Sequence, residues 1–535
     1  MRPKLVIGTV VGLVVLGAVA YGAVRFFAPA TDHAIELVPR DSVAYTSLFL
    51  KPSISQRQAL KAILEAFPAS DSPEEAEALF ENLLDEVLDD SDLDLDYKTD
   101  VEPWLGEEVA AFALAPREPG ADPDAAVVLG TTDPDRSMTA VDRAVGGRPE
   151  THTYRGVDYR SLGTWLAGVV DDFLVVGTQG AFESAVDTAL DEGATLADHA
   201  AYRDAVDALP EDRLALFYLD APRILDSFPA GTGVAPSLLN GSLATFRAPL
   251  AAALYARDGE MVIDDVVPLP DDPQLTEVVR TAVEDDGLLP HVTGRAWAGL
   301  GVPNLVQTIS AALEGFGGPM GMVGILEQQF LSPLGLDLQK DILGWMGDAA
   351  FYAQETDPAE TLSYGAVIQS TDPARSAAVV NRLHGLLLAR FKAPVGPISV
   401  KGYSGAEVPR RFLEGRSGFS LQERGSLHPL NVVADGDRVY IVLGRFATFD
   451  ALNGGSELRD RLSFPAARES LGEGYRVGSF LSVPSLVQVI NELPTLSDGR
   501  WGSEIRPNLL SISHVVFGSK IQDGRLFQRL VVRVH

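Results

Sequence analysis

Two short segments with nearly the same sequence, residues 132–137 (TDPDRS) and residues 371–376 (TDPARS), decide the fold predicted for this chain. They agree at five of six positions. In both, Asp followed by Pro is typical of a helix start, because the Asp side chain caps the first turn and Pro suits the first helical position. The repetition predicts that one structural unit occurs twice.

Other segments recur in the same order, which extends the duplication over most of the chain. They are LVP at 37–39 and LLP at 288–290, DVEPWLG at 100–106 and DILGWMG at 341–347, YRG at 154–156 and YSG at 403–405, residues 202–222 and 464–484, and the DG turns at 258–259 and 523–524. We therefore predict repeat one over residues 34–270 and repeat two over residues 284–535. A polar linker over 271–283 joins them, and residues 1–30 form a separate N-terminal part.

Each repeat reads as strands with single helices between them. Residues 250–256 and 261–268 flank Asp258 and Gly259, the strongest short signal for a hairpin. Residues 154–162 and 169–177 read as a further strand pair. Hairpins mixed with single helices predict an antiparallel sheet covered by helices, the α+β class.

The composition is that of an acidic globular protein. The 535 residues include 43 basic and 74 acidic side chains, giving a net charge of −31, and 46% are hydrophobic. Nucleic acid is excluded as an expected partner because phosphate binding needs clustered Lys and Arg. The absence of cysteine excludes disulfides, thiolate catalysis and Cys-ligated metals.

Residues 5–24 are uncharged and rich in Val, Leu, Ala and Gly. Twenty helical residues reach about 30 Å, the thickness of the hydrocarbon core of a bilayer. Arg2 and Lys4 precede the run, so the positive-inside rule predicts a cytoplasmic N-terminus and an extracytoplasmic body. The alternative is a cleaved signal peptide, since residues 18–20 (AVA) offer a cleavage pattern. We favour an uncleaved single-pass anchor whose partner is the lipid bilayer.

Residues 315–326 form an uncharged stretch rich in Gly and Met. One hypothesis is a mobile flap over an apolar ligand, because Met adapts to irregular shapes and Gly frees the backbone. Its apolar contacts would come from Phe316, Met320, Met322 and Ile325. The alternative is a buried helix–helix junction.

No cofactor, metal or catalytic site is predicted. The acidic run at 89–96 lacks the Gly and Glu that an EF-hand loop requires, so it reads as a solvated turn. Trp104 and Trp345 read as buried residues of a short helix that ends in Gly106 or Gly347. Familiar catalytic motifs are missing, and the eight histidines are scattered.

The apolar N-terminal run, residues 37–45 (LVPRDSVAY) and residues 94–106 (DLDYKTDVEPWLG) together resemble an uncharacterised bacterial family, domain of unknown function 3352. The resemblance implies a membrane-anchored protein of the bacterial envelope. It brings no activity, cofactor or catalytic residue.

Three functions are compatible with these patterns. The leading hypothesis is a noncatalytic binding or scaffold module, because two similar lobes create a cleft or a paired contact surface. Its partner would be an envelope protein or a small apolar ligand. The second is a carrier or sensor of a small apolar, lipid-like ligand. The third is an envelope hydrolase, which predicts titratable side chains that converge in one cavity.

Overall fold

The computed structural model describes residues 32–68, 95–116, 122–145, 147, 149–190, 194–226, 248–271, 273–284, 287–307, 332, 335–355, 363–392, 403–406, 416–423, 429–453, 455–492 and 501–535. The predicted anchor at 5–24 and the predicted flap at 315–326 lie outside these residues. Within the described ranges, none of the helices combines the length and the apolar character needed to cross a bilayer.

The described residues contain strands and helices of ordinary length. The strands are β1 Ser42–Phe49, β2 Leu105–Leu114, β3 Ala125–Thr131, β4 Thr151–Tyr154, β5 Val157–Leu162, β6 Trp165–Val170, β7 Phe173–Thr178, β8 Ala215–Leu219, β9 Leu250–Arg257, β10 Glu260–Pro268, β11 Ala296–Val302, β12 Met346–Gln354, β13 Ser363–Ser370, β14 Tyr403–Ala406, β15 Ser417–Glu423, β16 Leu430–Asp435, β17 Arg438–Leu443, β18 Arg476–Ser482, β19 Ile512–Gln522 and β20 Arg525–Val534. The α-helices are α1 Ile54–Leu64, α2 Pro134–Ala144, α3 Gln179–Leu190, α4 Ala200–Val206, α5 Ala221–Asp226, α6 Pro273–Glu284, α7 Pro373–Lys392, α8 Arg445–Asn453, α9 Ser463–Leu471, α10 Val483–Asn491 and α11 Arg506–Leu510.

The strands join in one antiparallel sheet. Their pairings give the spatial order β4–β5–β6–β7–β3–β2–β1–β8–β9–β10–β20–β19–β18–β11–β12–β13–β17–β16–β15–β14. Residues 34–270, here called the first half, and residues 284–535, the second half, contribute their strands in the same order. The α+β class and the large antiparallel sheet are therefore confirmed.

The two halves meet where β10 pairs with β20. In this register Glu260 lies opposite Arg533, Asp264 opposite Arg529 and Pro268 opposite Arg525. The sheet consequently continues from one half into the other without an edge. Helix α6 occupies most of the segment 271–283 that was predicted as a linker.

Helices cover both faces of the sheet. On one face, Phe182 of α3 and Tyr202 of α4 pack on the first half, and Phe464 of α9 packs on the second. On the opposite face, α2 and α7 cover the outer strands, where the buried Trp104 and Trp345 lie. Burying apolar side chains on both faces is the main stabilising contribution to such a layered fold.

The local predictions of helix starts and hairpin turns are confirmed. The carboxylate of Asp133 accepts a hydrogen bond from the backbone N–H of Arg136, and that of Asp372 accepts one from Arg375. At the turn between β9 and β10, Asp258 and Gly259 have φ angles of 40° and 75°, as a two-residue hairpin turn requires.

Two local predictions are wrong. Residues 154–162 and 169–177 do not form one strand pair, because turns divide them among β4, β5, β6 and β7. Neither Gly106 nor Gly347 ends a helix, because Gly106 lies in β2 and Gly347 in β12. At Gly106 an added Cβ would stand 2.7 Å from the carbonyl carbon of Gly130. Glycine is needed at position 106 because β2 and β3 approach closely there, not because a helix ends.

The burial predicted for both tryptophans is confirmed. The indole N–H of Trp104 donates to the backbone carbonyl of Asp100, at 2.5 Å. That of Trp345 donates to the carbonyl of Asp341, at 3.0 Å. Each bond joins the tryptophan to the helical turn before it, so both indoles are structural.

Candidate binding cleft

A cleft of about 560 Å³ opens on the first half. Four separate parts of the chain form it: the loop before β1, helix α3, the segment that leads into α4, and helix α5. Its lining consists of Pro39, Arg40, Asp41, Ser184, Asp187, Thr188, Ala194, His199 and Arg223.

Backbone pairing fixes one wall of the cleft. The N–H of Leu196 donates to the carbonyl of Val38, and Pro39 forms an isolated bridge with Thr195. The side chain of Asp198 caps the following turn by accepting from the N–H of Thr195. These contacts hold the loop that carries Arg40 and Asp41 against the segment that ends in His199.

Helix α3 provides the opposite wall. Its Asp187 accepts hydrogen bonds from the Tyr154 hydroxyl, at 3.1 Å, and from a guanidinium N–H of Arg155, at 2.8 Å. Partial burial and then this hydrogen bond raise the pKa of Tyr154. The Thr188 hydroxyl donates to the carbonyl of Ser184. The Asp187 charge is therefore compensated within the protein, and the arginines on the other wall add positive charge.

His199 is the unusual member of this lining. Its Nδ1 atom is buried and has no hydrogen-bond partner among the described residues. A buried polar atom without a partner is costly, and most such atoms in proteins are bonded. With Arg40 and Arg223 also lining the cleft, the arrangement suits a small polar ligand that carries an acidic or hydrogen-bonding group.

The matching place in the second half holds an arginine that is paired within the protein. Arg461 follows the turn Leu458–Asp460 as His199 follows Leu196–Asp198. Its guanidinium donates to the Glu355 carboxylate at 2.5 Å and to the Ser485 hydroxyl at 3.0 Å. An internal ion pair thus occupies this part of the second half.

A buried carboxyl pair lies where the described chain begins. Glu108 accepts hydrogen bonds from the backbone N–H groups of His33, at 3.0 Å, and Ala34, at 3.1 Å. Desolvation, followed by the nearby charge of Asp32, raises the pKa of Glu108 to about 9. Asp32 in turn accepts from the Tyr45 hydroxyl at 2.6 Å. The hydrogen bonds of Glu108 and Asp32 hold residues 32–34 against the sheet.

The structure does not test most residues that the sequence singled out. Phe316, Met320, Met322 and Ile325 lie outside the described residues, as does the acidic run up to residue 94. Asp96 caps the turn Tyr97–Val101 through Thr99. Within the described ranges, no three His, Asp or Glu side chains are grouped to hold a metal ion.

Sequence reasoning missed the cleft because its residues come from distant segments. His199 belongs to no motif, and its buried nitrogen follows only from the packing of the chain around it. One usable signal was present: Thr195 and Asp198 have the spacing of a capping box, which places a turn directly before His199.

The fold defines an α+β protein with one antiparallel sheet and a polar cleft on one half. Residues 5–404 match the family described as protein of unknown function, DUF3352, and the chain belongs to that family. The resemblance proposed from the sequence is thereby confirmed. A search of curated proteins finds no match.

Solved structures of TP0453 show some likeness to this chain. Crystal form I matches with 10% sequence identity and a TM-score of 0.24, over 44% of this chain and 79% of that one. Crystal form III matches with 10% identity and a TM-score of 0.25, over 48% and 88%.

Proposed function

We propose that this chain is a noncatalytic binding protein of the bacterial envelope, held in the cell membrane by residues 5–24 with its body outside the cytoplasm. The observation that carries the binding role is the open cleft of the first half, with its unpartnered His199 nitrogen. In the second half the matching position is Arg461, which pairs with Glu355 and Ser485. An unpartnered polar atom in one half and a paired one in the other fits binding in the first half better than a purely architectural role.

The membrane anchor is supported by two observations. The run at 5–24 is uncharged and follows two basic residues, Arg2 and Lys4. The family match begins at residue 5, so the family shares this segment. The strongly acidic body favours a position in solution over close contact with anionic lipid headgroups.

The orientation can be tested with single cysteines, since the chain has none of its own. A cysteine at Leu462, which is 91% exposed, should react with a membrane-impermeant maleimide in intact cells. A cysteine at Pro3 should react only after the membrane is permeabilised. Equal labelling of both positions in intact cells would disprove the proposed topology.

The cleft is tested by extracting small molecules from the purified full chain and identifying them by mass spectrometry. The double variant His199→Ala, Arg223→Ala should lose the molecules that wild type retains. Arg203→Ala changes an exposed arginine of α4 outside the cleft lining and serves as the matched control. Identical extracts from all three proteins would contradict binding in the cleft, and turnover of the retained molecule would instead favour the hydrolase hypothesis.

We also propose that residues 34–270 and 284–535 arose by tandem duplication, with 271–283 as the connection. The shared sequence segments support this origin, and so does the identical strand order of the two halves. An ancestral pair of like subunits joined through one edge strand would give the same sheet order.

A further inference from the structure

The face of the sheet opposite α3 and α4 carries a row of side chains across its centre. Cross-strand pairing places seven residues side by side, from β9 to β12. We call this row the apolar strip; its members are Leu254, Ile263, Leu530, Phe517, Ser479, Leu300 and Phe351.

The strip is most exposed towards its two ends. Ile263 near one end and Leu300 and Phe351 at the other are 41%, 49% and 42% exposed, and Leu530, Phe517 and Ser479 between them are half-buried. At one end, α1 packs through Leu60 on neighbouring residues such as Ala256, and further out α7 covers the second half. Contiguous exposed apolar side chains are uncommon on soluble proteins and mark contact or ligand sites.

One acidic side chain borders the strip. Asp265 lies two residues after Ile263 on β10 and so projects from the same face. Its Oδ1 atom is buried and has no hydrogen-bond partner among the described residues. Burial, followed by the charge of Asp264, raises the pKa of Asp265 to about 7. A carboxyl that is partly protonated near neutral pH can donate a hydrogen bond to an oxygen of a ligand.

We propose that the apolar strip binds a neutral acyl lipid, with the acyl chain along the strip and a hydroxyl or carbonyl group of the lipid at Asp265. From β10 to β12 the strip crosses five inter-strand spacings, about 24 Å at about 4.8 Å each, which accommodates an extended acyl chain. None of its members is basic, and the one arginine beside it on β18, Arg476, is 7% exposed and donates to the carbonyl of Ala282. Because the chain also carries a net charge of −31, a fatty-acid anion is disfavoured. This site is separate from the cleft and does not depend on ligand binding there.

The test uses the full chain in phosphatidylcholine vesicles that contain a photoactivatable monoacylglycerol. Labelled peptides are mapped by mass spectrometry, and labelling of residues 5–24 serves as the internal reference. We expect labelling of β11 and β12, and about a tenfold loss there in the variant Leu300→Gln, Phe351→Gln, because both side chains lose apolar contact with the lipid. Excess monoolein should compete, whereas oleate at the same concentration should not.

Two variants separate the parts of the proposal. Leu462→Gln removes an equally apolar exposed side chain away from the strip and should leave labelling unchanged. Asp265→Leu keeps the strip apolar but should lower labelling severalfold, because the hydrogen bond to the lipid is lost. Circular dichroism verifies that each variant is folded.

Several results would overturn the proposal. Labelling confined to residues 5–24, or unchanged labelling of the strip in Leu300→Gln, Phe351→Gln, would exclude the site. A dimer that only the strip variant dissociates, without lipid labelling, would assign the strip to a second copy of the chain.

Discussion

Removing one partner of the Asp264–Arg529 ion pair should destabilise the whole protein. This pair joins the two halves at the middle of the β10–β20 pairing. Two guanidinium N–H groups donate to the two carboxylate oxygens at 2.6 and 2.7 Å. The side chains of Arg529 and Asp264 are only 14% and 7% exposed, so water screens the pair little.

The expected loss depends on which partner is removed. In Arg529→Met, Asp264 stays buried with the Tyr255 hydroxyl as its remaining donor, at 3.0 Å. An uncompensated buried charge costs about 3–5 kcal/mol. In Asp264→Asn, the guanidinium keeps the carbonyl of Leu471 at 2.8 Å and the ring of Tyr475, so we expect a loss near the lower limit, about 3 kcal/mol.

Urea unfolding followed by circular dichroism measures both variants and the double variant Asp264→Leu, Arg529→Met. The double variant should lose less than the sum of the single losses, because no charge remains unpaired. Lys51→Met is the matched control: its partner Glu107 is 58% exposed, and the expected change is below about 1 kcal/mol. Single losses below about 1 kcal/mol, or strictly additive losses, would refute the argument.

Three further predictions concern single side chains. Burial raises the pKa of Glu108 from 4.5 to about 9, so the protonated carboxyl stabilises the fold at low pH. This contribution is lost as pH rises from 4.5 to about 9, and in a series of thermal melts Glu108→Gln should flatten the resulting decline in Tm. Burial lowers the pKa of His514 from 6.5 to about 4, so stability should fall as pH falls through that range, and His514→Gln should remove this dependence in the same melting series. Gly106→Ala should cost about 1–3 kcal/mol in urea unfolding because its Cβ meets the backbone of Gly130, whereas Gly147→Ala, with open space around it, should be near neutral.

Features that depend on neighbouring residues could be predicted from the sequence. Asp133 and Pro134 start α2 through contacts within one turn, and Asp258 with Gly259 makes a two-residue hairpin turn. Both rest on backbone preferences and hydrogen bonds that span only three or four residues. Gly106 shows the limit of such reasoning, since its environment is set by Gly130 on the neighbouring strand.

Features that depend on distant residues could not be predicted. The pairing of β10 with β20 leaves no local signature, because the partner of each strand lies more than 250 residues away in the chain. The cleft likewise needs Arg40, His199 and Arg223, which three separate segments bring together. Their convergence follows from strand pairing and helix packing across the first half.

The centre of the β10–β20 register indicates why unlike halves are joined in one chain. Asp264 and Arg529 each lie at the midpoint of this pairing, opposite one another. Two copies of the first half joined through β10 in the same register would bury two Asp264 carboxylates together, and two copies of the second half would bury two Arg529 guanidinium groups. Like charges in a buried site are unfavourable, whereas one carboxylate and one guanidinium form a bidentate pair. If the halves derive from a symmetric ancestor, complementary substitutions at this position would have favoured pairing between two different halves. A chain that links a half carrying Asp264 to a half carrying Arg529 would then be more stable than a dimer of either half with itself.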